Sequence, residues 1–394
     1  MVHIGSKCIV GQEKVRAEIA RIVSSGRIGH AYLLTGPPGV GKKALALAFA
    51  EAVNGVENLS ELGDRKSSAK SSWFVHPDIH LFIPVPKSAS STELTGRLQL
   101  LADDPYAIVD FASRPSLDGS FDGKNRKAFY HKDYFKDDIR PAMFLKPNEG
   151  RRTVVVLSNI ETMHPNVANA FLKTLEEPTE NLMFILTTDN FNSLLPTIVS
   201  RCQLLRCTSI RTEEIQASLI EKDGMAEADA EYLARISGGN YASTRFYDAK
   251  TLRENRRQII QFLRMAYTQD AGEIVSLASS WSAAFSTEQH IAMFNMIEVF
   301  LRDLAVYLDT EDVRLLTNAD QIDTIKKFTA SLKNARLEAM IATVNSFRAL
   351  VYQNIQPKLI YTVMALRFGF LLRGGDTPIP EDEAWKHFPA LTNL

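Results

Sequence analysis

The sequence predicts an α/β fold over its first half, a parallel sheet covered on both faces, followed by a second half built only of helices. Three observations carry this. Short apolar runs suited to buried strands alternate with helical patterns as far as Cys207. One of those strands runs through a glycine-rich loop straight into a helix. After Cys207 strand signals stop, and helical spacing dominates from Thr212 to Leu372.

In chain order, the spacing predicts a helix over residues 12–24 and a strand at Ala31-Tyr32-Leu33-Leu34-Thr35. The loop Gly36-Pro37-Pro38-Gly39-Val40-Gly41 follows, then an Ala- and Leu-rich helix from Lys42 to Val53. Residues 55–75 are polar and Ser/Lys-rich and read as a loop, and Ile79 to Val85 reads as a strand. From 86 to 148 periodicity is poor until Tyr134 to Phe144, so this stretch reads as a partly ordered insertion. Thr153-Val154-Val155-Val156-Leu157 is a continuous apolar run suited to a central parallel strand. A helix with Pro at its start, Pro165 to Glu176, and a strand, Met183 to Thr187, complete the alternation. Gly238-Gly239 marks a break, and a further boundary falls near residue 250.

A chain of 394 residues exceeds one ordinary core, so two or three domains are expected. With 45% hydrophobic and 23% charged residues the composition is globular. Lys and Arg (45) nearly balance Asp and Glu (46), which excludes a global electrostatic grip on nucleic acid and leaves only a local face for such contact. Met1 to Gly11 shows no basic segment followed by an apolar run, so no secretory signal is expected. The apolar stretch Ile291 to Leu308 is interrupted by Glu298, Arg302 and Asp303, which reads as a buried amphipathic helix and not a membrane span. Three cysteines, Cys8, Cys202 and Cys207, make no disulfide framework and fit a cytoplasmic location.

Gly36-x-x-x-x-Gly41-Lys42 matches most of the Walker A pattern. Glycines there, Gly39 among them, let backbone N–H groups surround phosphate oxygens, and Lys42 would neutralise the β and γ phosphates. Ser or Thr should follow the lysine to ligate magnesium, but the residue is Lys43, which has no lone pair to give. A Walker B strand should end in acids that hold the metal and polarise water. Here it ends in Ser158-Asn159, neither of which is anionic or basic enough, and Glu161 lies two positions further on. The expectation is a degenerate nucleotide site (Gly36, Gly39, Gly41, Lys42, Lys43, with Ser158 and Asn159) without independent ATPase activity.

Several phrases occur in one order across residues 9–207: Ile9-Val10-Gly11-Gln12-Glu13, Gly29-His30-Ala31-Tyr32-Leu33-Leu34, the phosphate loop, and His76-Pro77-Asp78. Asn169-Ala170-Phe171-Leu172-Lys173-Thr174-Leu175-Glu176-Glu177-Pro178 and Leu195-Pro196-Thr197-Ile198-Val199-Ser200-Arg201-Cys202 complete the set. Together these resemble the clamp-loader branch of the AAA+ ATPases. The degraded Walker motifs favour its non-hydrolysing delta-prime type over the ATP-driven gamma/tau type. The resemblance implies an AAA+ RecA-like domain (1–208, with the 86–148 insertion), a small helical lid (209–249), an all-α C-terminal collar (250–375) and a tail (376–394). It also implies gamma/tau and delta subunits as partners, with the sliding clamp and primer-template DNA met through the assembly. By the same resemblance Arg201 reaches ATP on a neighbouring subunit; taken alone it would read as a surface salt bridge.

Many members carry a four-cysteine zinc module between the two Walker motifs, but residues 43–150 hold no cysteine, so no zinc or other metal is expected. No cofactor is required, while residual ATP or ADP binding stays open. The lid motif that usually brings a second sensor arginine reads Gly238-Gly239-Asn240-Tyr241-Ala242, and Arg245 is displaced from that position and not assigned to it. Thr187-Thr188 falls at the first sensor position. Cys202 and Cys207 read as small buried hydrophobes, His76 and His80 as part of a strand-edge turn, Asn169 to Leu175 as a packing helix, and Lys124-Asn125-Arg126-Lys127 as a solvated loop. Three functions compete: a non-catalytic clamp-loader subunit that supplies Arg201, an active ATPase motor of the gamma/tau kind, and a diverged AAA+ scaffold.

Overall fold

A computed structural model describes residues 9–55, 76–111, 114, 127–247, 249–285, 287–332, 334–353 and 355–375. Cys8, the Ser/Lys-rich stretch from 56 to 75, Lys124 to Arg126 and the tail from 376 lie outside the described residues. The chain divides into two compact units, one up to Tyr247 and one from Asp248 onward.

The first unit opens with α1 (Glu13–Ser25), β1 (Ala31–Thr35), α2 (Lys42–Val53) and β2 (Ile79–Phe82). Then come α3 (Ser91–Asp103) and two single turns, α4 (Lys132–Tyr134) and α5 (Arg140–Ala142), joined by a π-helical turn, Phe135–Ile139. β3 (Thr153–Leu157), α6 (Pro165–Glu176), β4 (Leu182–Thr188), the short α7 (Pro196–Val199), β5 (Gln203–Arg206), α8 (Thr212–Asp223) and α9 (Glu227–Ile236) complete it. All pairings are parallel, in the order β2-β3-β4-β1-β5. Every residue of β3 and β4 is buried, as a sheet covered on both faces requires. Helix α2 buries every residue except Lys43, which explains its alanine content: a helix enclosed on all sides carries no polar stripe. On α6 the buried Val167, Ala168, Phe171 and Leu175 form one stripe, and Phe171 packs edge-on against Phe184 of β4 with ring centroids 5.1 Å apart.

The structure departs from the sequence expectations in three places. β2 stops at Phe82 and not Val85, because Pro84 has no N–H for a ladder, and Val85 makes only an isolated bridge to Phe129. β5 carried no strand signal: it pairs on one side only, and of its four residues just Leu205 is buried. The described residues of the 86–148 stretch, 86–111, 114 and 127–148, are more ordered than its periodicity suggested. Ser90 caps α3 by accepting from the Glu93 N–H, and Arg97 is fully buried, its guanidinium 3.8 Å from the centre of the Phe111 ring. The Ser-x-x-Glu capping signature was the cue that could have located this helix.

The second unit contains α10 (Ala249–Thr268), α11 (Ala271–Ala284), α12 (Thr287–Thr310), α13 (Ile322–Ser331), α14 (Leu337–Tyr352) and α15 (Pro357–Leu372). An aromatic cluster of Phe262, Trp281, Phe294, Tyr361 and Phe368 holds α10, α11, α12 and α15 together. Among the described residues no helix is long and apolar enough to cross a membrane.

Candidate functional site

The glycine loop sits where β1 ends and α2 begins, at the carboxyl ends of the parallel strands, where open α/β sheets place ligands. Gly41 caps α2 with a left-handed backbone, φ 93°. Two close approaches demand glycine. A Cβ on Gly36 would collide with the Cys207 carbonyl, and one on Gly39 with the side-chain amide of Asn240. The second contact is reinforced by the backbone: the Ala242 N–H donates to the Gly39 carbonyl at 3.1 Å. The segment after Gly238-Gly239 therefore rests directly on the phosphate loop.

Lys42 is buried and satisfied within the chain. Its Nζ donates to the carbonyls of Gly36, at 2.7 Å, and of Pro37, and pairs with Asp189 Oδ1 at 2.7 Å. Lys43 points elsewhere and pairs with Asp110 Oδ2 at 2.7 Å. On the other flank the Gln12 side chain donates to the Thr208 and Val40 carbonyls and accepts from the Thr208 N–H, tying the entry segment to the loop and to the chain after β5. Tyr106 closes the wall. Its hydroxyl accepts from the Val10 N–H at 2.8 Å, and its ring meets Tyr241 edge-on at 4.7 Å. Arg245, 4.6 Å from the Tyr241 ring centre, is held by Asp104 at 2.7 Å and Asp223 at 2.8 Å.

At the end of β3, Ser158 is fully buried and its carbonyl accepts from the Tyr130 hydroxyl at 2.7 Å. Asn159 takes a left-handed conformation (φ 51°), and its amide donates to Asp189 Oδ2 at 3.1 Å and Glu161 Oε1 at 3.4 Å. Glu161 also accepts from the Asp189 N–H, and burial raises its carboxyl above the ordinary range. Lys42 thus has a carboxylate partner in Asp189, and Glu161 is tied to the Asp189 backbone, although neither Ser158 nor Asn159 carries charge. Thr187 and Thr188 are buried, and Thr187 Oγ1 accepts from the Asn159 N–H at 3.2 Å.

Arg201 belongs to a different neighbourhood. It follows α7, and its guanidinium donates to the Thr197 carbonyl at 2.9 Å and pairs with Glu176 Oε1 at 2.6 Å; none of these partners belongs to the phosphate loop. Cys207 is buried and its thiol is pushed up to about 11 by burial, with Lys42 pulling the other way; burial pushes Cys202 up to about 12. Both stay protonated at neutral pH and are poor nucleophiles. His76 Nδ1 accepts from the Asp78 N–H, and no group of three or more His, Cys, Asp or Glu side chains able to hold a metal occurs among the described residues.

Sequence reasoning placed the loop but missed the groups that close around it. Tyr106, Asp104 and Asp110 come from the stretch read as an insertion, and Asp189 carries no spacing that marks it. Asn240 was visible only as part of a displaced lid motif.

Residues 11–211 match the family model described as DNA polymerase III, delta subunit, and residues 250–369 match DNA polymerase III, delta subunit, C terminal. The chain is 23% identical over 363 residues to DNA polymerase III subunit delta' of Bacillus subtilis, covering 91% of this chain and 97% of the relative. Identity to subunit delta' of Pseudomonas aeruginosa is 28% over 260 residues, 64% of this chain and 66% of the relative. Subunit gamma/tau of Mycobacterium tuberculosis is 28% identical over 243 residues, but these make up 60% of this chain and 35% of the relative.

Proposed function

Since the chain belongs to the DNA polymerase III delta-prime family of clamp-loader subunits, we propose that it is the subunit that does not hydrolyse ATP and lends Arg201 to a neighbouring ATPase. In this reading its sheet domain, lid and helical collar take their place beside gamma/tau and delta subunits in a cytoplasmic assembly that places the sliding clamp on primer-template DNA. It needs no cofactor of its own and no zinc.

One observation carries the reading: the phosphate loop is engaged by the chain itself, while the arginine of the Ser-Arg-Cys motif is partnered away from it. Lys42, the residue that would meet the β and γ phosphates, already has an anion in Asp189. Asn240 and Ala242 lie against Gly39, and Lys43 stands where a magnesium ligand is needed. Arg201 is partly exposed, and a guanidinium can exchange a carboxylate for phosphate oxygens through two parallel hydrogen bonds.

The test is Arg201→Ala in the reconstituted assembly with clamp and primed DNA. Assembly should stay intact by gel filtration, while DNA-stimulated ATPase and clamp loading fall. A single finger contributes on the order of a thousandfold in its own site, but the loss in total turnover is diluted by the other sites of a ring. Normal rates in both assays would retire the role, and disrupted assembly would make Arg201 an interface anchor. The motor reading draws on a specific observation too, the Asp189 carboxylate paired with Lys42, with Glu161 accepting from the Asp189 N–H. Phosphate release by the isolated chain that disappears in Lys42→Ala would favour it.

A further inference from the structure

Besides a long contact to the Ser200 hydroxyl at 3.5 Å, the Arg201 guanidinium makes two shorter engagements of different strength. One terminal nitrogen donates to the Thr197 carbonyl within its own turn, at 2.9 Å. The other pairs with Glu176, the last residue of α6, at 2.6 Å. Glu176 is 48% exposed and Arg201 35%, so this is a solvent-screened ion pair that forms and breaks readily. A terminal phosphate of a nucleoside triphosphate carries more negative charge than a carboxylate and offers the same two-oxygen geometry. Any phosphate that recruits Arg201 must first displace Glu176.

We propose that Glu176 is a positioning residue for Arg201, an internal anion that holds the guanidinium in a parked state and competes with the terminal phosphate of a triphosphate on the neighbouring subunit. This rests on the finger reading of Arg201. The Thr197 bond sets the side-chain direction, and the Glu176 bond sets how much of the population is available. An exposed pair of this kind withdraws about two-thirds of the free arginine, which raises the concentration of triphosphate needed to engage it by about threefold. Glu176 also keeps the cation paired while no neighbour is present, which limits recruitment of other anions.

The experiment uses the full reconstituted assembly and compares Glu176→Gln, Arg201→Ala and the double variant by DNA-stimulated ATPase over a range of ATP concentrations. Glutamine keeps the length of the side chain and removes its charge at an exposed site, so the fold is retained. The expected result is an apparent KM for ATP lowered about threefold by Glu176→Gln, with a smaller change in kcat, and no such shift when Arg201 is already alanine. An unchanged KM, or the same shift with and without Arg201, would overturn the positioning role while leaving the finger intact, provided Arg201→Ala still slows turnover. If Arg201→Ala has no effect on turnover, both readings fall together.

Discussion

At the scale of single residues, Asp78 shows how a motif residue acts through the backbone. Its carboxylate accepts three N–H groups, from Asn148 at 2.7 Å, Glu149 at 2.9 Å and Gly150 at 2.6 Å, and its own carbonyl accepts from Val154 at the start of β3. One side chain thus fixes the turn that feeds the central strand. Burial would raise this carboxyl, but the three backbone donors outweigh it and hold it below the usual carboxylate range. A depressed carboxyl contributes stability that is present above the unfolded value near 4 and is lost as pH falls through the folded value. Asp78→Ala leaves three donors without a partner and should cost about 2–4 kcal/mol of the first unit's stability, read by urea titration at neutral pH. The difference between wild type and variant should shrink as pH drops below about 4. A variant as stable as the parent would mean that water or a neighbouring oxygen replaces the carboxylate.

At the scale of elements, the helices of the second unit meet through a buried histidine. His290 of α12 lies within hydrogen-bonding distance of the Tyr361 hydroxyl of α15, with Nδ1 3.0 Å away, and its ring sits beside Phe285 and Tyr361. Burial lowers its pKa to about 4 from the ordinary value near 6.5. Below its unfolded pKa the unfolded chain binds a proton that the folded one refuses, so stability falls as pH drops from about 6.5 toward 4 and levels off below that. The loss is on the order of 3 kcal/mol over that window. Fluorescence of Trp281, whose ring is 4.8 Å from Tyr361, should report an earlier urea midpoint at pH 5 than at pH 7.5 once the other tryptophans are replaced. His290→Leu should flatten that dependence; an equally steep one in the variant would place the titration elsewhere.

At the scale of the whole molecule, cysteine usage bears on how the chain is held together. Only three cysteines occur, and residues 43–150, where many family members place a zinc module, contain none. In the described part of that stretch Arg97 donates to the Val109 and Arg114 carbonyls, the Tyr106 hydroxyl accepts from the Val10 N–H, and Asp110 pairs with Lys43. After extensive dialysis the purified protein should hold well under one zinc per chain, and a chelator should leave its thermal midpoint unchanged. About one zinc per chain with a lowered midpoint in chelator would reveal a His and carboxylate site.

The sequence by itself determined the alternation of strands and helices, the loop between β1 and α2, and the switch to helices after Cys207. Those features depend on short-range rules: apolar periodicity, a proline at a helix start, glycines between a strand and a helix. The first turn of α2 and the whole of β3 were legible for that reason. β5 was not, because an edge strand with one buried residue lacks the apolar run of its neighbours, and its identity comes from pairing with β1. Tertiary structure alone decided what surrounds Lys42 and Arg201. Asp189, Asn240, Tyr106 and Glu176 reach their partners from other elements, and no local spacing relates one to the other. Charge pairing and close approach depend on distance in space, which the order of the sheet sets and the chain order conceals.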